Sequence, residues 1–268
     1  MGKAENTHLT LDVNIATWRP DGLLKVEAMR LPEVDGVRYI VSWQDYGESP
    51  LIPSSLSVRQ DVEIRLCQCS GQSINRNNAL RHSCADIILI ADDDLRYTPE
   101  QLQTVIQVFG ANPSVDVATF RHSGEPRCYP SQECDLGKRL PKGYSVAAFE
   151  IAFRREAVGD LMFDERFGFG SRYFGASEDE KFLLDARRRG LHCRFFPVVI
   201  TSHHGPTTGD RRVTSCKVAA AMGKYISLEY PFSWPLRIPL KAWREWRRGG
   251  RFFFTFCHML RGVAISGR

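Results

Sequence analysis

Residues 86–94 read Asp-Ile-Ile-Leu-Ile-Ala-Asp-Asp-Asp. The unbroken aliphatic run reads as a strand with both faces covered, as central strands of parallel sheets are. Just beyond it stands Thr98-Pro99-Glu100-Gln101. Thr98 is suited to an N-cap, Pro99 to the first turn and Gln101 to a capping box, so a helix starts here. A buried strand, an acidic loop and a helix make a β–α unit.

Outward from this stretch the same alternation continues. Residues 9–16, 37–43 and 62–66 read as strands from their β-branched patterning. A short helix runs to about residue 30, after the break at Thr17–Gly22. Ser73 is placed to cap a helix to about residue 82. Strands follow at 115–120, 144–153 and 192–200. Residues 123–142, rich in Gly, Pro, Cys and charge, read as a long loop. The clearest helix is 177–189: Ser177 caps it, Glu180 closes the box, Arg187–Arg189 fill the last turn and Gly190 ends it. A final helix covers 212–228. Pro231, Pro235 and Pro239 are expected to break regularity before a short basic, aromatic tail. The alternation predicts an α/β fold: a mostly parallel, Rossmann-like, doubly wound sheet flanked by helices.

Composition sets bounds. The chain has 268 residues, 43% hydrophobic, with 21 Gly and 14 Pro, which excludes collagen-like, coiled-coil and disordered classes. No apolar run approaches the roughly 18 residues of a membrane span. The start, MGKAENTHLT, has no signal-peptide core, so a cytoplasmic location is expected. Asn6 breaks the myristoylation pattern that Gly2 would begin. The eight cysteines form no Cys-x-x-Cys pair, so they are expected as free thiols rather than zinc ligands. The net charge is +5, yet residues 237–268 alone carry eight Arg and Lys against Glu245. A basic tail on a nearly neutral body points to an anionic surface and not to nucleic acid. Trp243 and Trp246 lie among those cations, which suits a membrane interface; a helix packed on the body or an oligomer contact reads equally well.

Three features carry chemistry. Three adjacent carboxylates at Asp92–Asp94 repel one another unless a cation or water relieves them, and Mg²⁺ or Mn²⁺ does this while sharing positions with phosphate oxygens. Taken alone, the triplet is equally a solvated acidic loop. Glu178-Asp179 sits where a helix macrodipole favours acids. The glycine-rich, aromatic segment 163–170 before it suits a pocket wall, where a carboxylate can serve as general base. His203-His204 follows a strand and can donate to phosphate or ligate metal, or form a polar turn. Arg211 and Arg212 can reach a diphosphate.

Taken in order, these pieces resemble the family-2 glycosyltransferases of the GT-A fold. They are the first strand ending at Thr17-Trp18, Arg76-Asn77 on a helix, the acids after DIILIA, Phe153-Arg154-Arg155, Phe163-Asp164-Glu165, Ser177-Glu178-Asp179 and His203. The resemblance spans residues 9–212. It implies a catalytic domain over 1–229 and a C-terminal extension over 230–268. It implies that Ala16, Thr17 and Trp18, with Gln44 and Asp45, border the donor's base and ribose. It sets Arg76, Asp92, Asp93 and Arg211 on the donor, Asp94 and His203 at a Mn²⁺ or Mg²⁺ ion, and Asp179 as catalytic base beside Glu178. The second strand lacks the family's usual acidic-Gly-Ser ending, and the Arg76 helix lacks its usual small residues, so the base is unassigned.

The implied activity is inverting transfer of a sugar from a nucleotide-diphosphate donor to a saccharide or lipid-linked saccharide, as in surface polysaccharide or glycolipid assembly, peripheral at the inner face of the plasma membrane. The alternatives are a nucleotidyltransferase, for which Thr17–Gly22 is a poor phosphate loop, and an inactive nucleotide-sugar-binding membrane partner, against which the intact acid set argues.

Overall fold

A computed structural model describes residues 9–48, 50–124, 127–203 and 215–265. In chain order the elements are β1 (Leu11–Trp18), α1 (Gly22–Ala28), β2 (Val37–Gln44), α2 (Ser54–Ser57), β3 (Val62–Cys67), α3 (Gln72–His82), β4 (Ile87–Asp92), β5 (Leu95–Arg96), α4 (Pro99–Ala111), β6 (Val117–Gly124), β7 (Cys134–Asp135), β8 (Ile151–Arg154), α5 (Arg155–Val158), α6 (Glu178–Arg188), β9 (Cys193–His203), α7 (Cys216–Glu229), α8 (Trp234–Arg247) and α9 (Phe252–Ala264). They form two compact units. One holds residues 9–68, 75–161 and 186–203, the other 69–74, 162–185 and 215–265, among the described residues.

The first unit contains one sheet in the order β3-β2-β1-β4-β8-β6-β9-β5, with β7 also on β9. β3, β2, β1 and β4 run parallel, as do β6 and β9. β8 lies antiparallel between β4 and β6. The α/β architecture of a mostly parallel sheet flanked by helices is therefore present. Ile87 to Ala91 of β4 are all buried, as an aliphatic strand between two neighbours requires. Ile87, Leu89 and Ala91 join a core with Leu11, Val13 and Ile15 of β1, Val41 and Trp43 of β2, and Leu102, Val105 and Phe109 of α4.

Polar anchors hold the register. Asp12 is buried in β1 and fully satisfied: it accepts from Arg38 of β2 at 3.0 and 2.9 Å and from the Cys84 and Ala85 N–H groups at 2.7 and 3.0 Å. The α4 capping box forms as the sequence reads, Gln101 N–H to Thr98 Oγ1 at 3.3 Å and Thr98 N–H to Gln101 Oε1 at 2.9 Å.

Four local expectations are corrected. Residues 144–153 are not one strand; a 3-10 turn at Ala148–Glu150 precedes a short β8. The cause is Glu150, whose carboxylate accepts from the Ala147 N–H at 2.8 Å and curls the chain before it can ladder. Ser73 lies inside α3, and its hydroxyl donates to the Phe167 carbonyl at 2.7 Å instead of capping. Ser177 sits at φ +67°, outside the extended backbone of a usual N-cap, and the Glu180 N–H is taken by the Asp179 carboxylate at 2.8 Å. The tail is not irregular: Pro235 falls in the first turn of α8, where no N–H partner is needed, and Pro239 is accommodated within it.

In the second unit α7 and α9 touch backbone to backbone. A Cβ on Gly223 would lie 2.1 Å from the Met259 carbonyl oxygen, and one on Gly262 2.0 Å from that of Ala220. Met222, Ile238 and Met259 pack around this crossing. Gly223→Ala forces the helices apart and is expected to lower stability by roughly 1–3 kcal/mol or more. Gly110→Ala in α4, with open space around it, should raise stability by about 0.5–1 kcal/mol. Urea unfolding of both variants checks the pair; equal midpoints would contradict the close crossing.

Candidate functional site

In the first unit the acid triplet lies at the carboxyl edge of the sheet. Register places Ala16 beside Asp92, Thr17 beside Trp43 and Trp18 beside Gln44, so β1, β2 and β4 end together. Sheets of this type bind ligands beyond such ends. Leu95 of β5 pairs with His203 of β9, which brings the histidine to the triplet.

Each acid has its own partner. Asp92 Oδ1 accepts from the Arg76 guanidinium at 2.8 Å, and Arg76 is buried. Asp93 Oδ2 accepts from the Thr17 hydroxyl at 2.6 Å and lies 3.9 Å from Lys25 Nζ. Asp94 Oδ2 stands 3.4 Å from His203 Nε2. Burial pushes the Asp93 carboxyl up to about 6; Thr17 and then Lys25 oppose this, and the neighbouring acids add to it. Burial first, and Asp92 second, raise Asp94 above the ordinary range, against the pull of His203. Two carboxyls of the triplet thus hold their protons more tightly than ordinary carboxyls do, a bias that added positive charge would reverse.

Several supports went unread in the sequence. Asn75 donates to the Thr17 carbonyl at 2.8 Å and accepts from Ser42 at 2.6 Å, and Asn78 donates to Ser42 at 2.8 Å. These amides fix the end of β1 through α3, and only their place one turn apart could have signalled it. Trp43 Nε1 donates to the Arg19 carbonyl at 2.7 Å, with Arg19 at φ +71° and its guanidinium 4.0 Å over the Trp18 ring. Gly22 packs against Thr17 and Trp43 so closely that a Cβ would lie 2.5 Å from Thr17 Oγ1. Asp45 follows β2 at φ +53°.

Behind His203 is a buried polar cluster. The His203 ring stacks on Phe149 at 5.1 Å and meets His122 edge-on at 6.1 Å. His122 Nδ1 is 2.7 Å from Glu150 Oε1, Tyr129 hydrogen-bonds Glu150, and Arg127 lies 3.5 Å from its other oxygen. A lone acid in the apolar run 146–153 was the available sign of it.

The second unit holds the other predicted acids. Gln72 N–H donates to the Phe169 carbonyl at 2.9 Å, while Gly168 and Gly170 take φ +104° and +79°. A Cβ on Gly170 would meet Gly71 Cα at 3.3 Å, and one on Gly168 would meet Ser73 Oγ at 3.1 Å and Glu178 Cδ at 3.5 Å. Glu178 is therefore buried against the loop, whereas Asp179 is half-buried in the first turn of α6. Asp164 is gripped by Arg166 at 2.6 Å and lies 3.6 Å from Lys181. Burial would raise its carboxyl, but the Arg166 bonds and then Lys181 hold it below the usual range. Arg211, Arg212 and His204 lie outside the described residues.

The donors present suit a hard divalent ion completed by substrate. Among the described residues no three His, Cys, Asp or Glu side chains converge on one ion. Asp94 and His203 supply two adjacent donors, and a separation of 3.4 Å fits neighbouring positions on an ion with bonds of roughly 2.1 Å. Such ions use one or two protein ligands with substrate phosphates and water. Among the described residues the second nitrogen of His203, Nδ1, is buried without a hydrogen-bond partner, so packing on Phe149 orients the ring.

Comparison with known proteins bears on the sheet and on part of the sequence. Residues 57–161 match the family model Glycosyl transferase family 2, a stretch that holds Arg76 and Asp92–Asp94 and ends before Asp179 and His203. Among solved structures, the mannosyltransferase PcManGT of Pyrobaculum calidifontis, in complex with GDP-Man and Mn²⁺, is 15% identical over 98% of this chain and 77% of its own, with a TM-score of 0.58. TarS of S. aureus with UDP-GlcNAc is 15% identical over 82% and 67%, with a TM-score of 0.54. Glucosyl-3-phosphoglycerate synthase of Mycobacterium tuberculosis, with Mn²⁺, UDP and phosphoglyceric acid, is 14% identical over 81% and 78%, with a TM-score of 0.52. No curated protein matches in sequence. The chain therefore has the GT-A fold of family-2 glycosyltransferases.

The raised Asp93 carboxyl has a consequence with a definite sign. Between its ordinary value and about 6 the folded state keeps a proton that the unfolded chain releases. In metal-free protein stability should fall as pH rises through roughly 4 to 6. Asp93→Asn removes this term, so its advantage over wild type should grow across that window and then level off. Urea midpoints across the window check this; parallel profiles would contradict it.

Proposed function

We propose that the protein is a metal-dependent, inverting glycosyltransferase that moves a sugar from a nucleoside-diphosphate donor to an acceptor hydroxyl. The observation that carries this reading is the pairing of Asp94 with His203 at the carboxyl edge where β1, β2 and β4 end. On this reading Ala16–Trp18, Gln44 and Asp45 border the base and ribose. Arg76 holds Asp92 in place toward the ribose, and Thr17 does the same for Asp93. Asp94 and His203 would hold Mn²⁺ or Mg²⁺, which when bound supplies positive charge against the leaving diphosphate. Arg211 adds a further cation toward the phosphates.

Asp179 is the general base. Its carboxylate is half-buried and its Oδ1 is oriented by the Glu180 N–H, while Glu178 braces the loop at Gly168. Asp179 takes the proton of the acceptor hydroxyl as that oxygen attacks the anomeric carbon from the face opposite the diphosphate, and one displacement inverts the centre. Residues 1–229 carry this chemistry and 230–268 form an extension. The acceptor is a saccharide or lipid-linked saccharide of surface polysaccharide or glycolipid assembly, met at the inner face of the plasma membrane.

A panel of nucleotide-sugars with and without Mn²⁺, read by thermal shift and by release of nucleoside diphosphate, tests the reading. One donor should raise the Tm in the presence of Mn²⁺ and turn over. Asp94→Ala should lose the Mn²⁺-dependent shift. Asp179→Asn should keep the shift and lose turnover by about 10²–10⁴-fold. A wild-type rate in Asp179→Asn would refute its role, and a release of pyrophosphate from nucleoside triphosphates would point to nucleotidyl transfer instead.

A further inference from the structure

Helix α8 has two apolar faces, and only one is covered. Ile238, Ala242 and Glu245 are buried within the second unit. Leu236, Leu240 and Trp243 repeat at a similar spacing about 160° around the helix, and they are 78%, 45% and 43% exposed. Phe232, just before the helix, is 97% exposed, and Trp246 55%. A third row, Arg237, Lys241, Arg244 and Arg248, follows the apolar row displaced by one residue. Arg247 extends the exposed apolar row and stacks over Trp243 at 5.2 Å. Lys241 pairs with Glu245 at 2.6 Å, the lone acid of the segment.

We propose that this outer face of α8 docks on an anionic lipid bilayer, with the helix lying in the plane of the interface. A helix meant for water does not set Leu, Leu and Trp in register on its solvent side. The apolar row enters the acyl boundary, the indoles sit at headgroup level, and the flanking cation row meets anionic headgroups. Charge selects this occupant. A second copy would bring two arginine rows together with only one acid in each, the buried Glu245 already paired with Lys241, which is repulsive. A nucleic acid would satisfy the cations but leave Leu236 and Leu240 in water. No helix of the described residues is long and apolar enough to cross a membrane, so the contact is peripheral. The inference deepens the proposed function by fixing where the acceptor is met. It rests on that reading only for that consequence.

Flotation of the full chain with vesicles tests it. Wild type should float with phosphatidylglycerol-containing vesicles and not with phosphatidylcholine alone. Leu236→Ser/Leu240→Ser/Trp243→Ser should stay at the bottom. Arg237→Gln/Arg244→Gln/Arg248→Gln should weaken binding by roughly fivefold per charge, and added salt should do the same to wild type. Both variants should stay folded and keep the wild-type donor-induced thermal shift, because the changed residues are exposed and give up only the Arg237 contacts with Ser233 and Tyr230 and the Trp243 contact with Arg247. Loss of donor shift throughout with flotation intact would strike the proposed function and leave this inference standing. Wild type that does not float, or a serine variant that floats as wild type does, overturns it. So does a dimer in sedimentation velocity that the serine variant abolishes, or RNA binding that the serine variant retains in place of lipid binding.

Discussion

Three carboxylates on consecutive residues at the end of a buried strand repel one another, and the geometry of the sheet edge answers that repulsion one acid at a time. Arg76 meets Asp92, Thr17 and Lys25 meet Asp93, and His203 faces Asp94. The partners come from α3, β1, α1 and β9, so the strand order β2-β1-β4 and the β5–β9 pairing are what make the triplet tolerable. The compensation is incomplete. Asp93 and Asp94 still lie above the ordinary carboxylate range. An edge left short of positive charge, with a carboxylate and an imidazole side by side, is suited to a cation that arrives with its own oxygen ligands.

The scaffold around that edge is built for precision more than for bulk. Amides of Asn75 and Asn78 hold the β1 terminus, Gly22 allows Thr17 and Trp43 to close on it, and a buried Glu150 with His122 and Tyr129 backs the aromatic wall on which His203 rests. Buried polar groups hydrogen-bonded in this way fix side-chain orientation, which a binding edge needs. The second unit solves a different problem. Its loop of Gly168 and Gly170 closes on Gly71 and Ser73 without room for side chains, and α7 and α9 approach through glycines, with Met222 and Met259 packed around the crossing.

The sequence was most legible where one residue's chemistry decides local structure. The aliphatic β4, the Thr98–Gln101 capping box and the Gly190 stop at φ +81° are of this kind. It was least legible where partners far along the chain prevail. Ser73 gives its hydroxyl to Phe167, ninety-four residues away, and so does not cap α3. Glu150 bends a run that patterning reads as extended. Pro235 and Pro239 suggest irregularity, yet packing of Ile238 and Ala242 keeps α8 helical. Of the candidate site, Asp92–Asp94 and His203 were readable as types, but their one-to-one pairing with Arg76, Thr17 and Lys25 follows from register, which no local window contains.

The central claim is that the Asp94–His203 pair forms half of a cation site whose other half is the donor's diphosphate. Titration of Mn²⁺ into the protein with and without a nucleoside diphosphate, followed by the loss of free-ion electron paramagnetic resonance signal, measures this directly. The account predicts weak binding of either alone, mutual tightening when both are present by the same factor in each direction, and loss of that coupling in Asp94→Ala. Tight Mn²⁺ binding without nucleotide, or coupling that survives in Asp94→Ala, would contradict it.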